Sequence, residues 1–222
     1  MVRYILIFIF LIFLVSSEFT HAAEFHGGVN LGYYGGRGWD IYASAFKFAQ
    51  GLPLGVRLNM GYVTFDPGNA SDARRIFINN NQGGTIQKKG SVIRFSFDFL
   101  YPIKILNLPE TAVFIGPRYA SFKGNFKFIG DNEDFDVTSD HWGVGAGLEA
   151  GFPISKRIKF VLLTGFDYYT SSTLYGHDTS YSPTGEDSNP REEYLYDDAD
   201  KAINQPNFEP RLMVGISYRI GK

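Results

Sequence analysis

Two histidines with acidic and hydroxyl neighbours are the first candidates for chemistry in this chain. His141 directly follows Asp140, and His177 shares a segment with Asp178, Ser180 and Ser182. A nucleophilic hydrolase or acyltransferase needs a hydroxyl, a histidine base and a carboxylate within hydrogen-bond reach of one another. The spacing matches no motif of a lipid-modifying enzyme, so ordinary rim and loop roles are favoured for both histidines. We therefore predict no catalytic residues.

Residues 131–136 form an acidic run, Asp-Asn-Glu-Asp-Phe-Asp, of the kind that supplies oxygen ligands to calcium. The EF-hand pattern fails, because its sixth position is Asp136 rather than Gly and its twelfth is Trp142 rather than Glu. A solvated acidic loop is the favoured interpretation. The chain has no cysteine, which excludes disulfides, thiol catalysis and cysteine-based zinc sites. We predict neither a metal nor a cofactor.

Composition narrows the class of protein further. Of the 222 residues, 44% are hydrophobic and 20% are charged, which is ordinary globular usage. Glycine (25 residues) and aromatic residues (17%) are both abundant. This combination suits strands that pack closely on one face and meet apolar surroundings on the other. The net charge of −2 gives no reason to expect nucleic-acid binding.

The amino terminus has the features of a secretory signal peptide. Arg3 precedes an unbroken apolar run over residues 4–15, and small residues follow at Ala22 and Ala23. The run is shorter than the roughly 20 residues that a membrane-spanning helix needs. We predict a signal peptide over residues 1–22, Sec-type export with cleavage near Ala22, and a single domain over residues 23–222.

The rest of the chain shows the period-two alternation of β-strands. In residues 208–220, for example, Leu212, Val214 and Ile216 alternate with Arg211, Met213 and Gly215. Eight such segments are predicted, at residues 25–33, 39–49, 54–62, 91–101, 111–121, 141–152, 158–168 and 208–220. In the second segment both faces look apolar, so its orientation stays open.

The less apolar face of these strands is unusual, because it carries glycine repeatedly together with charges of both signs. Glycine gains nothing on an exposed strand, but it fits the narrow interior of an eight-stranded barrel. The charges can be buried there if they pair with one another. The predicted inner network comprises Arg57, Arg94, Asp98, Arg118, Glu149, Asp167, Glu209 and Arg211. The apolar face would then meet lipid, with Tyr and Trp near the strand ends.

The connections between strands alternate in length. Short segments at residues 50–53, 102–110 and 153–156 alternate with long ones at 66–90, 122–140 and 170–207. This sorting is typical of outer-membrane barrels, with short periplasmic turns and long extracellular loops. We therefore predict an all-β fold, an eight-stranded antiparallel transmembrane β-barrel in the bacterial outer membrane.

On this pattern the chain resembles the small eight-stranded outer-membrane barrels of Gram-negative bacteria, of the OmpA transmembrane domain and OmpX type. The resemblance covers about residues 24–222 and includes the alternation of the last strand through Tyr218 and Ile220. It implies insertion by the barrel assembly machinery and contact with outer-membrane lipid.

The expected function is non-enzymatic, in surface contact or envelope integrity. We expect loops 66–90 and 170–207 to contact an extracellular ligand or lipopolysaccharide. The first loop is basic through Arg74, Arg75, Lys88 and Lys89, whereas the second carries eight acidic and two basic residues with four interleaved tyrosines. Three alternatives stay open: a lipid A-modifying enzyme, a porin with a gated path along the lumen charges, and a soluble periplasmic barrel that binds a lipophilic ligand.

Overall fold

The computed structural model describes residues 23–48, 52–105 and 108–220, so the predicted signal peptide lies outside the described residues. Eight long strands form the wall of the molecule: β1 (Glu24–Tyr34), β2 (Arg37–Phe46), β3 (Gly55–Phe65), β4 (Thr85–Ile103), β5 (Thr111–Ile129), β6 (Glu133–Pro153), β7 (Ile158–Tyr169) and β10 (Phe208–Ile220). All neighbouring strands are antiparallel, and the sheet closes into a barrel because β1 pairs with β10 and β5 pairs with β6. The prediction of a closed eight-stranded barrel is confirmed.

The two faces of the barrel wall lie as the alternation predicted. Apolar side chains point outward and are exposed, for example Leu31, Ile115 and Leu212. The alternating residues point inward and are buried, as Arg118 and Arg211 are. Such an arrangement is stable only where the outside is lipid, because large exposed apolar surfaces are unfavourable in water.

Strand β2, whose orientation the sequence left open, has a defined inner face. Asp40, Tyr42 and Ser44 are buried in the lumen, whereas Trp39 and Ile41 are exposed on the outside. The register fixes this choice, because Asp40 lies opposite Asn30 of β1 and its carboxylate accepts a 2.7 Å hydrogen bond from the Asn30 side-chain amide.

Three strands, β4, β5 and β6, extend well beyond the bounds that the sequence predicted. The segment 122–140 was predicted to be a loop, but β5 and β6 continue through it and leave only a turn around residues 130–132. Strand β4 likewise begins at Thr85, six residues before its predicted start at Ser91. The prediction of a loop at 122–140 is therefore wrong, because the inner face there continues the period of two with Phe122, Phe126 and Phe128. We call the outer parts of β4, β5 and β6, residues 85–92, 120–129 and 133–141, the extension.

The two remaining long connections pack over the extension. Loop 66–84 contains helix α1 (Ala70–Phe77), and loop 170–207 contains the short strands β8 (Leu174–Tyr175) and β9 (Ser180–Tyr181) and helix α2 (Tyr196–Ala202). Backbone hydrogen bonds join the two loops, from Asn69 N to Ala202 O at 2.8 Å and from Asn204 N to Pro67 O at 2.9 Å. We call these two loops together with the extension the cap. Neither α1 nor α2 has the length and hydropathy of a membrane-spanning helix, nor has any other helix in the described ranges.

Candidate functional site

The predicted charge network is present in the lumen. Asp98 accepts from Arg57 Nη2 at 3.2 Å and from Arg118 Nη2 at 2.7 Å. Asp167 continues the chain, since its Oδ1 lies 2.8 Å from Arg118 Nε and 2.7 Å from Arg211 Nη2. All of these side chains are buried, and each charge therefore depends on its partner rather than on water.

Two further ion pairs complete the network at its two ends. Arg57 also pairs with Glu149 towards the short-turn end, and Arg94 pairs with Glu209 towards the cap. The Tyr34 ring lies between two guanidinium groups, at 4.1 Å from Arg94 Cζ and 4.3 Å from Arg211 Cζ. The ion pairs thus bring together residues of six strands, namely β3, β4, β5, β6, β7 and β10.

A glycine on β6 makes room for this network. A methyl group at Gly145 would collide with the Asp167 carboxylate and the Arg118 guanidinium. The glycine-rich inner face is therefore required by the size of the charged side chains in a narrow barrel. The lumen is filled by side chains at this level, which gives a general porin no support.

The two candidate histidines have different surroundings. His141 is fully buried, with Nε2 2.7 Å from Ser139 Oγ and Nδ1 3.0 Å from the Thr170 carbonyl oxygen. His177 is exposed in the cap and lies 2.8 Å from Asp178, which is equally exposed. Ser139 is a hydrogen-bond partner that the sequence analysis missed, although its i, i+2 spacing places it on the same strand face as His141. Ser139 and His141 are both buried.

The carboxylates of the acidic run 131–136 form ion pairs and hydrogen bonds with other side chains of the protein. Arg74 pairs with Asp131 and Glu133, and Lys123 Nζ lies 2.6 Å from Asp136. Asn125 donates to Asp134 at 2.8 Å and to Asp136 at 2.9 Å. Within the described ranges no group of three or more acidic or histidine side chains is arranged to hold a metal ion.

The basic residues of loop 66–90 are largely engaged within the cap. Arg74 is buried, and its guanidinium lies 4.3 Å from the Phe128 ring centroid. Arg75 pairs with Asp72, and Lys88 Nζ lies 2.7 Å from Asp66. Lys89 is exposed on the outer face of β4. The sequence identified these residues as a basic loop, but it did not show that most of them form ion pairs with carboxylates of the cap.

Loop 170–207 is held by an apolar cluster at the centre of the cap. Leu174, Ala199 and Ile203 of this loop pack with residues of α1 and of the extension: Ala73, Ile76, Phe77, Phe122, Phe126 and Phe135. Tyr181 also belongs to the cluster, and its hydroxyl donates to the Ile76 carbonyl at 3.1 Å and accepts from Arg191 N at 3.1 Å. Burial raises the pKa of the Tyr181 phenol. The loop is therefore ordered, which the sequence left open.

The outer surface of this loop carries an acidic patch with an exposed leucine, which we call the Leu195 patch. It consists of Glu192, Glu193, Leu195 and Asp197, all exposed. Leu195 is 70% exposed, and all three carboxylates lie within three residues of it in the sequence. None of these three carboxylates forms an ion pair within the part of the chain that the structure describes. The sequence indicated the acidity of this loop and its tyrosines, but not the exposed leucine.

Comparison with known proteins gives a structural relative but no sequence family. No protein-family model and no curated protein matches the chain. The major outer membrane protein of Thermus thermophilus is 28% identical, with a TM-score of 0.70 over 90% of this chain and 100% of that chain. Ail, the attachment invasion locus protein of Yersinia pestis, is 11% identical over 89% of this chain and 97% of that chain, with a TM-score of 0.46.

The structure and the Thermus relative agree on the architecture and its location. The closed barrel has the apolar outer wall that the strand pattern predicted. The match covers the whole of a solved outer-membrane protein, which agrees with the predicted location. The soluble alternative fails, because it required the apolar face to be inside. The chain is a small eight-stranded β-barrel protein of the bacterial outer membrane.

Proposed function

We propose that this barrel has a non-enzymatic role at the cell surface, in which the cap presents the Leu195 patch to an external partner. The observation that carries the proposal is the combination of a well-packed cap with an unpaired acidic surface. Other acidic residues of the cap, such as Asp131 and Asp136, are paired with cations, whereas Glu192, Glu193 and Asp197 are not paired within the described residues. The partner that this chemistry fits has a basic surface with an apolar contact for Leu195.

The filled lumen also supports a role outside transport. The ion pairs of Arg57, Arg118 and Arg211 occupy the barrel cross-section, so the wall acts as a support for the cap. A rigid support lowers the conformational entropy that a binding surface loses on contact. The interleaved tyrosines of loop 170–207 fit the same role, because they give contact area at low entropic cost.

The test is a surface variant that leaves the cap core intact. Glu192→Gln, Glu193→Gln and Asp197→Asn together with Leu195→Ser should abolish most protein-dependent adhesion or aggregation of cells that display the barrel. The matched control is Asp134→Asn with Asp136→Asn, which removes carboxylates from the outer face of the extension. Equal adhesion of the Leu195-patch variant and the unmodified protein, at equal surface amounts, would contradict the proposal.

Lipopolysaccharide contact through residues 66–90, which comprise loop 66–84 and the start of β4, is a second candidate. It depends on Lys89, because Arg74, Arg75 and Lys88 have acidic partners in the cap. Lys89→Gln should then weaken retention of lipopolysaccharide on the purified barrel, whereas Arg75→Gln should leave it unchanged. The enzyme alternative has a separate test, since lipid A composition measured by mass spectrometry should not change in a His141→Ala, His177→Ala double variant.

A further inference from the structure

The lumen opens at its short-turn end into a cavity of about 480 Å³, which we call the vestibule. Residues from several strands point into it, including His26 of β1, Phe46 of β2, Lys159 of β7 and Arg219 of β10. Glu149 marks its inner end, where the ion pair with Arg57 begins the charge network. The vestibule is therefore a blind cavity that faces the periplasm rather than a passage.

The charges that line the vestibule are unequal in number. Five are cationic and three are anionic: Lys47, Lys156, Arg157, Lys159 and Arg219 against Glu24, Glu110 and Glu149. The three carboxylates already have partners. Glu24 lies 2.8 Å from Lys47 and 3.0 Å from Arg219, Glu110 lies 3.4 Å from Lys159, and Glu149 is held by Arg57.

The cations are less fully matched than the carboxylates. Lys47 and Arg219 share the single carboxylate of Glu24. Neither Lys156 nor Arg157 forms an ion pair with any residue in the ranges 23–48, 52–105 and 108–220. A concave site with one excess sign of charge concentrates ions of the opposite sign. The vestibule is therefore suited to an anion.

Part of the vestibule wall is apolar, which favours a ligand with an apolar part. The centroid of the Phe46 ring lies 5.7 Å from that of the His26 ring and 5.9 Å from the Lys159 ammonium. Leu54, Pro102 and Pro153 also line the cavity. His26 Nδ1 is buried and has no hydrogen-bond partner in the described part of the chain. Ligand pockets commonly combine apolar walls with a few polar groups in cavities of about 300–1,000 Å³.

We propose that the vestibule binds a small soluble organic anion from the periplasm, a carboxylate or phosphate monoester attached to a compact apolar body. Arg219, which shares Glu24 with Lys47, and Lys159, whose ammonium lies 5.9 Å from the Phe46 ring centroid, receive the anionic group, and the apolar body packs on Phe46. Lys156 and Arg157 add positive charge at the rim of the vestibule. This site is independent of the Leu195 patch, which lies at the opposite end of the barrel.

The experiment measures binding to the mature barrel in nanodiscs of phosphatidylcholine, by ligand-observed NMR and by calorimetry. Benzoate and phenyl phosphate are the probes, benzylamine is the control of equal shape and opposite charge, and inorganic phosphate carries the charge without the apolar body. Phenyl phosphate and benzoate should bind saturably, benzylamine should not bind, and inorganic phosphate should bind about tenfold more weakly than phenyl phosphate.

Two variants locate the site. Lys159→Gln with Arg219→Gln should weaken binding of both organic anions about tenfold, whereas Lys89→Gln with Lys123→Gln at the cap end should leave it unchanged. Phe46→Ala should weaken binding of phenyl phosphate but not of inorganic phosphate. Heat modifiability on denaturing gels verifies that each variant is a closed barrel.

Several results would overturn the proposal. They are the absence of saturable binding by either organic anion, equal binding of benzylamine, and equal loss of affinity in the two lysine-containing double variants. Loss of binding when phosphatidylglycerol replaces part of the phosphatidylcholine would also overturn it, since the site would then belong to a lipid headgroup and not to a soluble anion.

Discussion

Within the membrane part of β5, Arg118 points into the barrel and Ile115 points outward, whereas in the extension of the same strand Phe126 points inward and Lys127 outward. The backbone alternation does not change between the two regions. The surroundings do, because the lower wall is bounded by lipid and the extension by water. The same strand is therefore apolar on its outside in one region and apolar on its inside in the other.

The outer face changes from apolar to polar at the same height on the neighbouring strands β4, β5 and β6. Phe95, Tyr119 and Trp142 lie side by side on the outer face, and Tyr119 and Trp142 have ring centroids 5.1 Å apart. One step farther out on that face, the register places Ser121 between Ile93 and Asp140. Aromatic residues prefer the boundary between hydrocarbon and water, so this row marks the outer limit of the lipid zone.

The interaction that stabilises the inside also differs between the regions. Ion pairs fill the lumen, and an apolar cluster fills the cap. Loss of one charge in the lumen leaves its partner buried without compensation, whereas loss of one apolar side chain in the cap leaves a cavity. Three pairs of substitutions test this difference.

The largest effect is expected for Asp98→Ala, because Asp98 is the shared acceptor of Arg57 and Arg118. Removal of this carboxylate leaves two buried guanidinium groups short of a partner and should lower the free energy of unfolding by about 3–5 kcal/mol. Urea titration of the heat-modifiable band in detergent measures it. Asp134→Ala breaks an exposed pair with Lys127 and a hydrogen bond from Asn125, and it should cost far less stability than Asp98→Ala. Similar losses for the two variants would show that the lumen network is not a coupled unit.

A comparison of two phenylalanine variants, one in the cap and one on the lipid face, should show a local loss of stability of intermediate size. Phe126→Ala removes a buried ring from the cap, at a cost of about 3 kcal/mol, while the membrane part of the barrel stays closed. Amide hydrogen exchange in loop 170–207 should therefore increase, with little change in heat modifiability. Phe95→Ala removes a ring from the lipid face and should leave exchange in that loop unaltered. Equal exchange in both variants would mean that the apolar cluster does not hold the loop.

Two adjacent arginines provide the smallest contrast. Arg74→Met keeps an apolar side chain near Phe128 but leaves Asp131 and Glu133 without their cation, which should cost about 2 kcal/mol of local stability in the cap. Arg75→Met breaks an exposed pair with Asp72 and should cost less than about 1 kcal/mol. Protease sensitivity of loops 66–84 and 170–207 compares the two variants. A cap equally resistant in both would contradict the role assigned to Arg74.

The alternation of residue types determined most of the barrel. A period of two separates Leu212 from Arg211 whatever the surroundings are, and glycine with charges on one face is compatible only with a narrow, paired interior. The eight residues of the lumen network could for this reason be predicted as a set from the sequence. Their partners could not, because Asp98 and Arg118 meet only when the strand register is fixed.

Only the tertiary structure decided the organisation of the cap. Phe122 and Phe126 continue the period of two of β5, but the side on which apolar residues lie reverses where the lipid ends. The sequence alone does not show where along the strand that boundary falls. Contacts between segments far apart in the chain determine three features of the cap. They are the ion pairs of Arg74, the burial of His141 beside Ser139 and the exposure of Leu195. Such contacts form when the barrel closes and brings loops 66–84 and 170–207 over the same opening, a result that local residue patterns do not specify.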